Sequence, residues 1–143
     1  MRVLLDANVV LDVLLNRIPW QQEAVAILDA ARESRLRAAV TSLTVANVFY
    51  IARRQVGSEK ARDTVADCIT AMWVLPVERR TLEAALALPG PDFEDSIQIV
   101  AAVEAQLDAI VTRDPAGFHG CPIPVLTPQQ LLLEIADEER ESR

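Results

Sequence analysis

Short apolar runs alternate along this chain with longer stretches whose apolar residues recur every three or four positions, and the two rhythms predict strands and helices in turn. Residues 2–5 (RVLL) read as a buried strand. The segment NVVLDVLLNR follows with apolar positions 9, 10, 11, 13, 14 and 15, a density that suits a mostly buried helix stopped by Pro19. Positions 20, 24, 25, 27, 28 and 31 predict a second helix from Trp20 to about Arg35. RAAVTS then predicts a second strand, with Ser42 or Thr44 as the cap of a helix through TVANVFYIAR. After a break at Gly57 and Ser58, residues 59–72 predict another helix, MWVLPV a third strand ending near Pro76, and residues 80–88 a helix stopped by the PGP triplet. Asp92 opens a longer helix with apolar residues at 97, 99, 100, 103 and 107, and DAIVT gives a fourth strand. Beyond the loop RDPAGFHGCPIP, a short strand at 123–126 leads to Thr127 and Pro128, the cap and first residue of the last helix.

Strand and helix alternate with no repeat, low-complexity block or flexible linker, which implies one α/β domain of three layers (α/β/α) around a central, mainly parallel sheet. A chain of 143 residues, 51% hydrophobic and 24% charged, has the material for one packed core. We expect the domain to occupy residues 1–136, with residues 137–143 (DEERESR) as a charged C-terminal tail, the solvated end of the last helix. The two cysteines, Cys68 and Cys121, form no CxxC or Cys/His cluster, so the expectation is reduced thiols rather than zinc or a disulfide framework. Only three apolar residues stand between Arg2 and Asp6, too few for a signal-peptide core or a membrane span; a cytoplasmic location and no membrane partner are expected. The net charge of −7 argues against nucleic-acid binding by bulk charge. Local binding stays open, because bases gather in RESRLR and ARRQVGSEKAR, although solvated helix faces account for most of them.

The placement of acids changes the picture. Asp6 directly follows the first strand, Asp114 follows the fourth, and Asp92, Glu94 and Asp95 open the helix between them. In a parallel sheet the residues just past the strand ends share one rim, where ligands sit. Each acid alone also reads as a helix or turn cap. Three acids within four positions exceed what capping requires, however, and several carboxylates on one rim repel one another unless a hard cation neutralises them. If Asp6, Asp95 and Asp114 converge, their oxygens suit Mg²⁺ or Mn²⁺, ions that keep waters and share their shell with substrate phosphates. Asn8 is placed to hydrogen-bond the turn beside Asp6. His119, alone in a Gly-rich loop, is left without a role; Trp20, Phe49, Tyr50, Trp73 and Phe93 are mostly expected in the core, and Phe118 is expected to pin its loop.

The stretches VLLDANVVLDVLLNR, TSLTVANVFYIARR, DFEDSIQIVAA, AIVTRDPAGF and PIPVLTPQQLL together resemble the PIN-domain nucleases, including the VapC-like toxin ribonucleases of bacterial toxin–antitoxin pairs, in matching order over nearly the whole chain. DFED combined with TRDxxxF is far more specific than any lone Asp. The resemblance implies a PIN-like α/β sandwich in which Asp6, Asp95 and Asp114 match the family's acidic metal-binding positions and Thr112 matches the hydroxyl residue preceding the last of them. It also implies an antitoxin partner and a homodimer. The chain departs from many relatives at Asn47, where they carry Glu; a subgroup resembling this chain has the same Asn. A neutral amide binds cations weakly, so Asn47 is a candidate to accept a metal-bound water or position a phosphate, and Asp92 or Glu94 a candidate to supply the missing charge.

The expectation is therefore a Mg²⁺- or Mn²⁺-dependent endoribonuclease acting on RNA. The alternative is a catalytically silent PIN-like module that binds RNA or a protein, motivated by Asn47 and the acidic charge. A phosphoacceptor domain built on Asp6 fits less well, since DAN lacks the second acid of a DxD pattern and no Lys follows Lys60.

Overall fold

The computed structural model describes residues 1–90 and 92–143. Its elements run β1 (Arg2–Leu5), α1 (Ala7–Leu14), α2 (Gln21–Arg32), β2 (Arg37–Thr41), α3 (Ser42–Val56), α4 (Ser58–Ala71), β3 (Trp73–Leu75), α5 (Arg79–Leu86), α6 (Phe93–Glu104), β4 (Ala109–Val111), a 3₁₀ turn (Pro115–Phe118), β5 (Val125–Leu126) and α7 (Pro128–Glu141). The strands lie in the order β3-β2-β1-β4-β5 and every neighbouring pair is parallel. The expected three-layer α/β/α domain is what the chain forms.

Side chains of β1 alternate across the sheet as the pleat requires. Val3 and Leu5 join one buried layer with Val9, Ile27, Val48 and Leu131 from α1, α2, α3 and α7. Leu4 faces the other way, onto Ala101 and Ala102 of α6 and onto Phe118, while α5 packs on α6 through Ala85. Because both faces are covered, the strands read as continuous apolar runs rather than alternating ones.

Strand order places the crossover reversal between β1 and β4: the chain winds outward from β1 through β2 to β3, then returns to the far side of β1. In such doubly wound sheets the crevice beyond the strand C-termini at this switch point is the ligand site. Asp6 ends the ladder on one side, its N–H donating to Val111 O at 2.9 Å; Thr112 ends it on the other, its N–H donating to Leu126 O at 2.9 Å.

Several local expectations shift. Helix α1 begins at Ala7 and ends at Leu14, well before Pro19. The cap of α3 is Thr41, not Ser42 or Thr44: its Oγ1 accepts the N–H of Thr44 at 3.0 Å, so the hydroxyl that caps belongs to the last strand residue. Thr127 and Pro128 start α7 as expected, with Gln130 completing a reciprocal capping box. Residues 137–141 continue α7, and Arg35 bridges to Glu139 at 3.2 Å. Both cysteines are free thiols. Among the described residues, no helix is long and apolar enough to cross a membrane.

Candidate active site at the switch point

Asp6 leaves β1 in extended conformation (φ −68°, ψ 154°) and caps α1, which turns its carboxylate into the crevice. Four donors hold it. Oδ1 accepts the N–H of Ala7 at 2.7 Å and Gln98 Nε2 at 3.2 Å; Oδ2 accepts Thr112 Oγ1 at 2.8 Å and Asn8 Nδ2 at 3.3 Å. Thr112 is buried, and its hydroxyl also accepts Asn8 Nδ2 at 3.2 Å and the N–H of Asp114 at 3.0 Å. One hydroxyl therefore links the loops carrying Asp6 and Asp114, using its single proton toward the carboxylate and its lone pairs toward the two donors.

At the start of α6 the three acids divide their work. Asp92 caps the helix, its Oδ1 accepting the N–H of Asp95 at 3.0 Å. Glu94 Oε1 accepts Asn47 Nδ2 at 3.0 Å, which brings an acid from α6 beside the α3 position where the resemblance lacks one. Asp95 faces the cluster: partial burial, then the charges of Asp92, Asp6, Glu94 and Asp114 in that order, push its carboxyl up to about 7. Asp114 opens the 3₁₀ turn without spending its side chain as a cap. A Cβ at Gly117 would lie 2.7 Å from Asp95 Oδ2 and 3.9 Å from Asp114 Oδ2. The turn reaches both carboxyls because residue 117 has no side chain.

Among the described residues, none of Asp6, Asp92, Glu94, Asp95 and Asp114 is in an ion pair with a Lys, Arg or His. The nearest cation by sequence, Arg113, is committed elsewhere. Its guanidinium grips the fully buried Asp12 of α1 through Nε at 2.6 Å and Nη2 at 3.2 Å, with Arg17 at 3.9 Å and the Trp20 ring 3.9 Å below. Its own N–H donates to Asn8 Oδ1 at 3.3 Å. The residue between Thr112 and Asp114 is thereby clamped to α1 at both main chain and side chain.

An uncompensated group of carboxylates, all hard oxygen donors, fits Mg²⁺ or Mn²⁺ better than any softer metal. Gln98 supports the same fit: its Nε2 is spent on Asp6 while Oε1 is buried with no partner among the described residues, an acceptor matched to a donor such as a cation's water. The opposite amide orientation would set oxygen against oxygen at Asp6. Among the described residues, no group of three or more His, Cys, Asp and Glu side chains is placed so that it could hold a metal ion as it stands. Asp95 and Asp114 approach each other across Gly117, and the charges of Asp6, Asp92 and Glu94 bear on Asp95.

Two residues that matter here escaped the sequence reading. Gln98 sits one turn after Asp95 inside the apolar run of α6, and Asp12 interrupts the apolar run of α1. A polar residue in a buried periodic stretch was the available signal. The aromatic residues correct an expectation: none of the five is buried, with Trp20 41%, Tyr50 54% and Phe93 45% exposed. Trp20 lies under Arg113, Tyr50 shares a groove with Asn47 and Phe93 precedes Glu94, whereas Trp73 of β3 packs partly buried against the core, as expected. Phe118 is buried against the α6 layer. His119 lines a cleft of about 320 Å³ with Asp92, Asp95 and Gly117.

A doubly wound parallel domain with an acidic crevice at its switch point defines the class of protein. Within it, the chain belongs to the PIN domain family, whose profile matches residues 2–116. Solved structures with the same fold include a toxin–antitoxin complex from Klebsiella pneumoniae, at 21% identity and a TM-score of 0.65, covering 88% of this chain and 97% of the other. VapBC2 from Rickettsia felis, bound to a DNA fragment from its promoter, shares 12% identity at a TM-score of 0.66 over 89% and 98%. The sarcin–ricin loop cleaving toxin VapC20 of Mycobacterium tuberculosis shares 10% at 0.62 over 76% and 86%. None of the curated proteins matches the chain in sequence.

Proposed function

We propose that this protein is a divalent-metal-dependent endoribonuclease that hydrolyses RNA phosphodiester bonds, and that it acts as the toxin of a toxin–antitoxin pair. The observation that carries the reading is the uncompensated acidic crevice at the switch point, with the Asp95 carboxyl pushed up to about 7 by burial and its acidic neighbours. Asp6, Asp95 and Asp114 are the residues that would hold Mg²⁺ or Mn²⁺. A bound ion supplies an activated water near neutral pH and offsets charge on the scissile phosphate. The chain's own part is to keep oxygens in place: Thr112, Asn8, Gln98 and the Ala7 N–H fix Asp6, and the Arg113 clamp fixes the loop that carries Asp114. Glu94, held by Asn47, brings a fourth carboxylate to the same edge.

An antitoxin protein as partner, RNA as substrate, a homodimer and a cytoplasmic location belong to this reading. It draws support from fold neighbours that are toxin–antitoxin complexes and from one described as cleaving the sarcin–ricin loop. The test is incubation of purified protein with a mixed RNA pool in Mn²⁺, Mg²⁺ or EDTA, beside Asp95→Asn. Cleavage that needs metal and vanishes in the variant is expected. Intact RNA under every metal, from folded protein free of inhibitor, makes the catalytically silent binding module the account instead.

A further inference from the structure

Helix α3 carries a stripe that leads away from the acidic crevice: Asn47, Tyr50, Ile51 and Arg54 recur at the three-to-four-residue spacing of one helix face. With Ala7 and Glu94 they line a groove of about 250 Å³. Its inner end is the Asn47–Glu94 hydrogen bond, and Ala7 adjoins Asp6, so the groove is continuous with the site. About 10 Å of helix axis separates Asn47 from Arg54. Tyr50 is 54% exposed, braced edge-on by Phe49 at 5.2 Å and with the Arg53 guanidinium 5.5 Å from its ring. A large amphipathic ring held to solvent by a neighbour is a stacking platform, which any nucleobase accepts.

Charge points to the same ligand. The protein carries a net charge of −7, yet among the described residues neither Arg53 nor Arg54 is in an ion pair with an acid. Exposed cations beside a strongly acidic crevice supply the anchor that a polyanion needs there. The one acid among the described residues that line the groove, Glu94, is hydrogen-bonded by Asn47.

We propose that this groove binds single-stranded RNA next to the scissile bond, one unstacked base lying on Tyr50 and the adjoining phosphate held by Arg54. The inference rests on the ribonuclease reading for its substrate and adds where and in what form the RNA lies. A base locked in a duplex cannot reach Tyr50, so the groove selects unpaired segments.

Binding of a fluorescein-labelled, unstructured RNA of about 12 nucleotides, long enough to span one such site, is measured by anisotropy in EDTA. Tyr50→Ala is expected to weaken binding about tenfold and Tyr50→Phe to restore it, since stacking needs the ring and not the hydroxyl. Arg54→Ala is expected to weaken binding and lower the salt slope by about one ion. Arg80→Ala, on α5 in the opposite layer, is expected to bind as wild type, and the matching RNA duplex to bind more weakly. No binding by wild type, full affinity in both Tyr50→Ala and Arg54→Ala, or no rescue by Tyr50→Phe overturns the proposal. Metal-dependent cleavage by a protein whose binding ignores Tyr50 removes the groove and leaves the nuclease; Tyr50-dependent binding without cleavage does the reverse.

Discussion

Asp95 holds its proton to about 7 when folded, against 3.8 for an ordinary aspartate. Between those values the folded state binds a proton that the unfolded chain has released, so stability falls as pH rises through that window and levels off above it. Urea denaturation in EDTA at several pH values checks this, and Asp95→Asn is expected to flatten the profile. Saturating Mn²⁺ is expected to restore stability at the upper end, because an ion that binds only the folded state stabilises it by mass action. Asp12 gives a separate prediction. Asp12→Asn leaves Arg113 without its buried partner, and since that guanidinium is 24% exposed it finds water at less than full cost. A loss of about 2 kcal/mol is expected in denaturant unfolding, with Mn²⁺ affinity reduced because the loop of Asp114 is no longer tied to α1.

At the scale of elements, the 3₁₀ turn and helix α6 have to meet closely. Gly117→Ala sets a Cβ 2.7 Å from Asp95 Oδ2, so turn or carboxyl must move. Cleavage in the RNA assay is expected to drop by about a hundredfold, the scale of a displaced catalytic group, with Tm changed little since Gly117 is itself exposed and Phe118 keeps the turn seated on the core. Thr112→Val cuts the link between β1 and β4 at their C-terminal ends; a 10- to 100-fold loss of Mn²⁺ affinity is expected, as for other groups that orient ligands, and titration calorimetry reads it. The strand-end acids were legible in the sequence because apolar runs mark strands and a parallel sheet brings their ends together. Asp6 and Asp114 could be placed on that rim by this alone; Asp95, on helix α6, was singled out from its acidic neighbours by the family resemblance. The partners that hold them were not legible, because Arg113 meets Asp12 across 101 positions and Gln98 meets Asp6 across 92. Outward aromatics were misread for a related reason: periodicity finds an apolar face without saying whether sheet or substrate covers it. The Thr41 cap was missed by a single residue, since strand and helix abut with no loop to mark the change.

At the scale of the molecule, β1 is the central strand, pairing β2 on one side and β4 on the other, and the site needs both. Residue 6 is made early and residue 114 late. A chain made only as far as residue 106 holds β1, β2 and β3 but leaves the β4 side of β1 bare, with Asp114 not yet made. Such an intermediate has an open sheet edge, prone to pair with other chains, and no complete acidic crevice. The fragment Met1–Gln106 is accordingly expected to aggregate and to leave RNA intact, by light scattering and the cleavage assay. For the ribonuclease proposed above, the ribosome and message that produce it meet no finished crevice until residue 114 has been made.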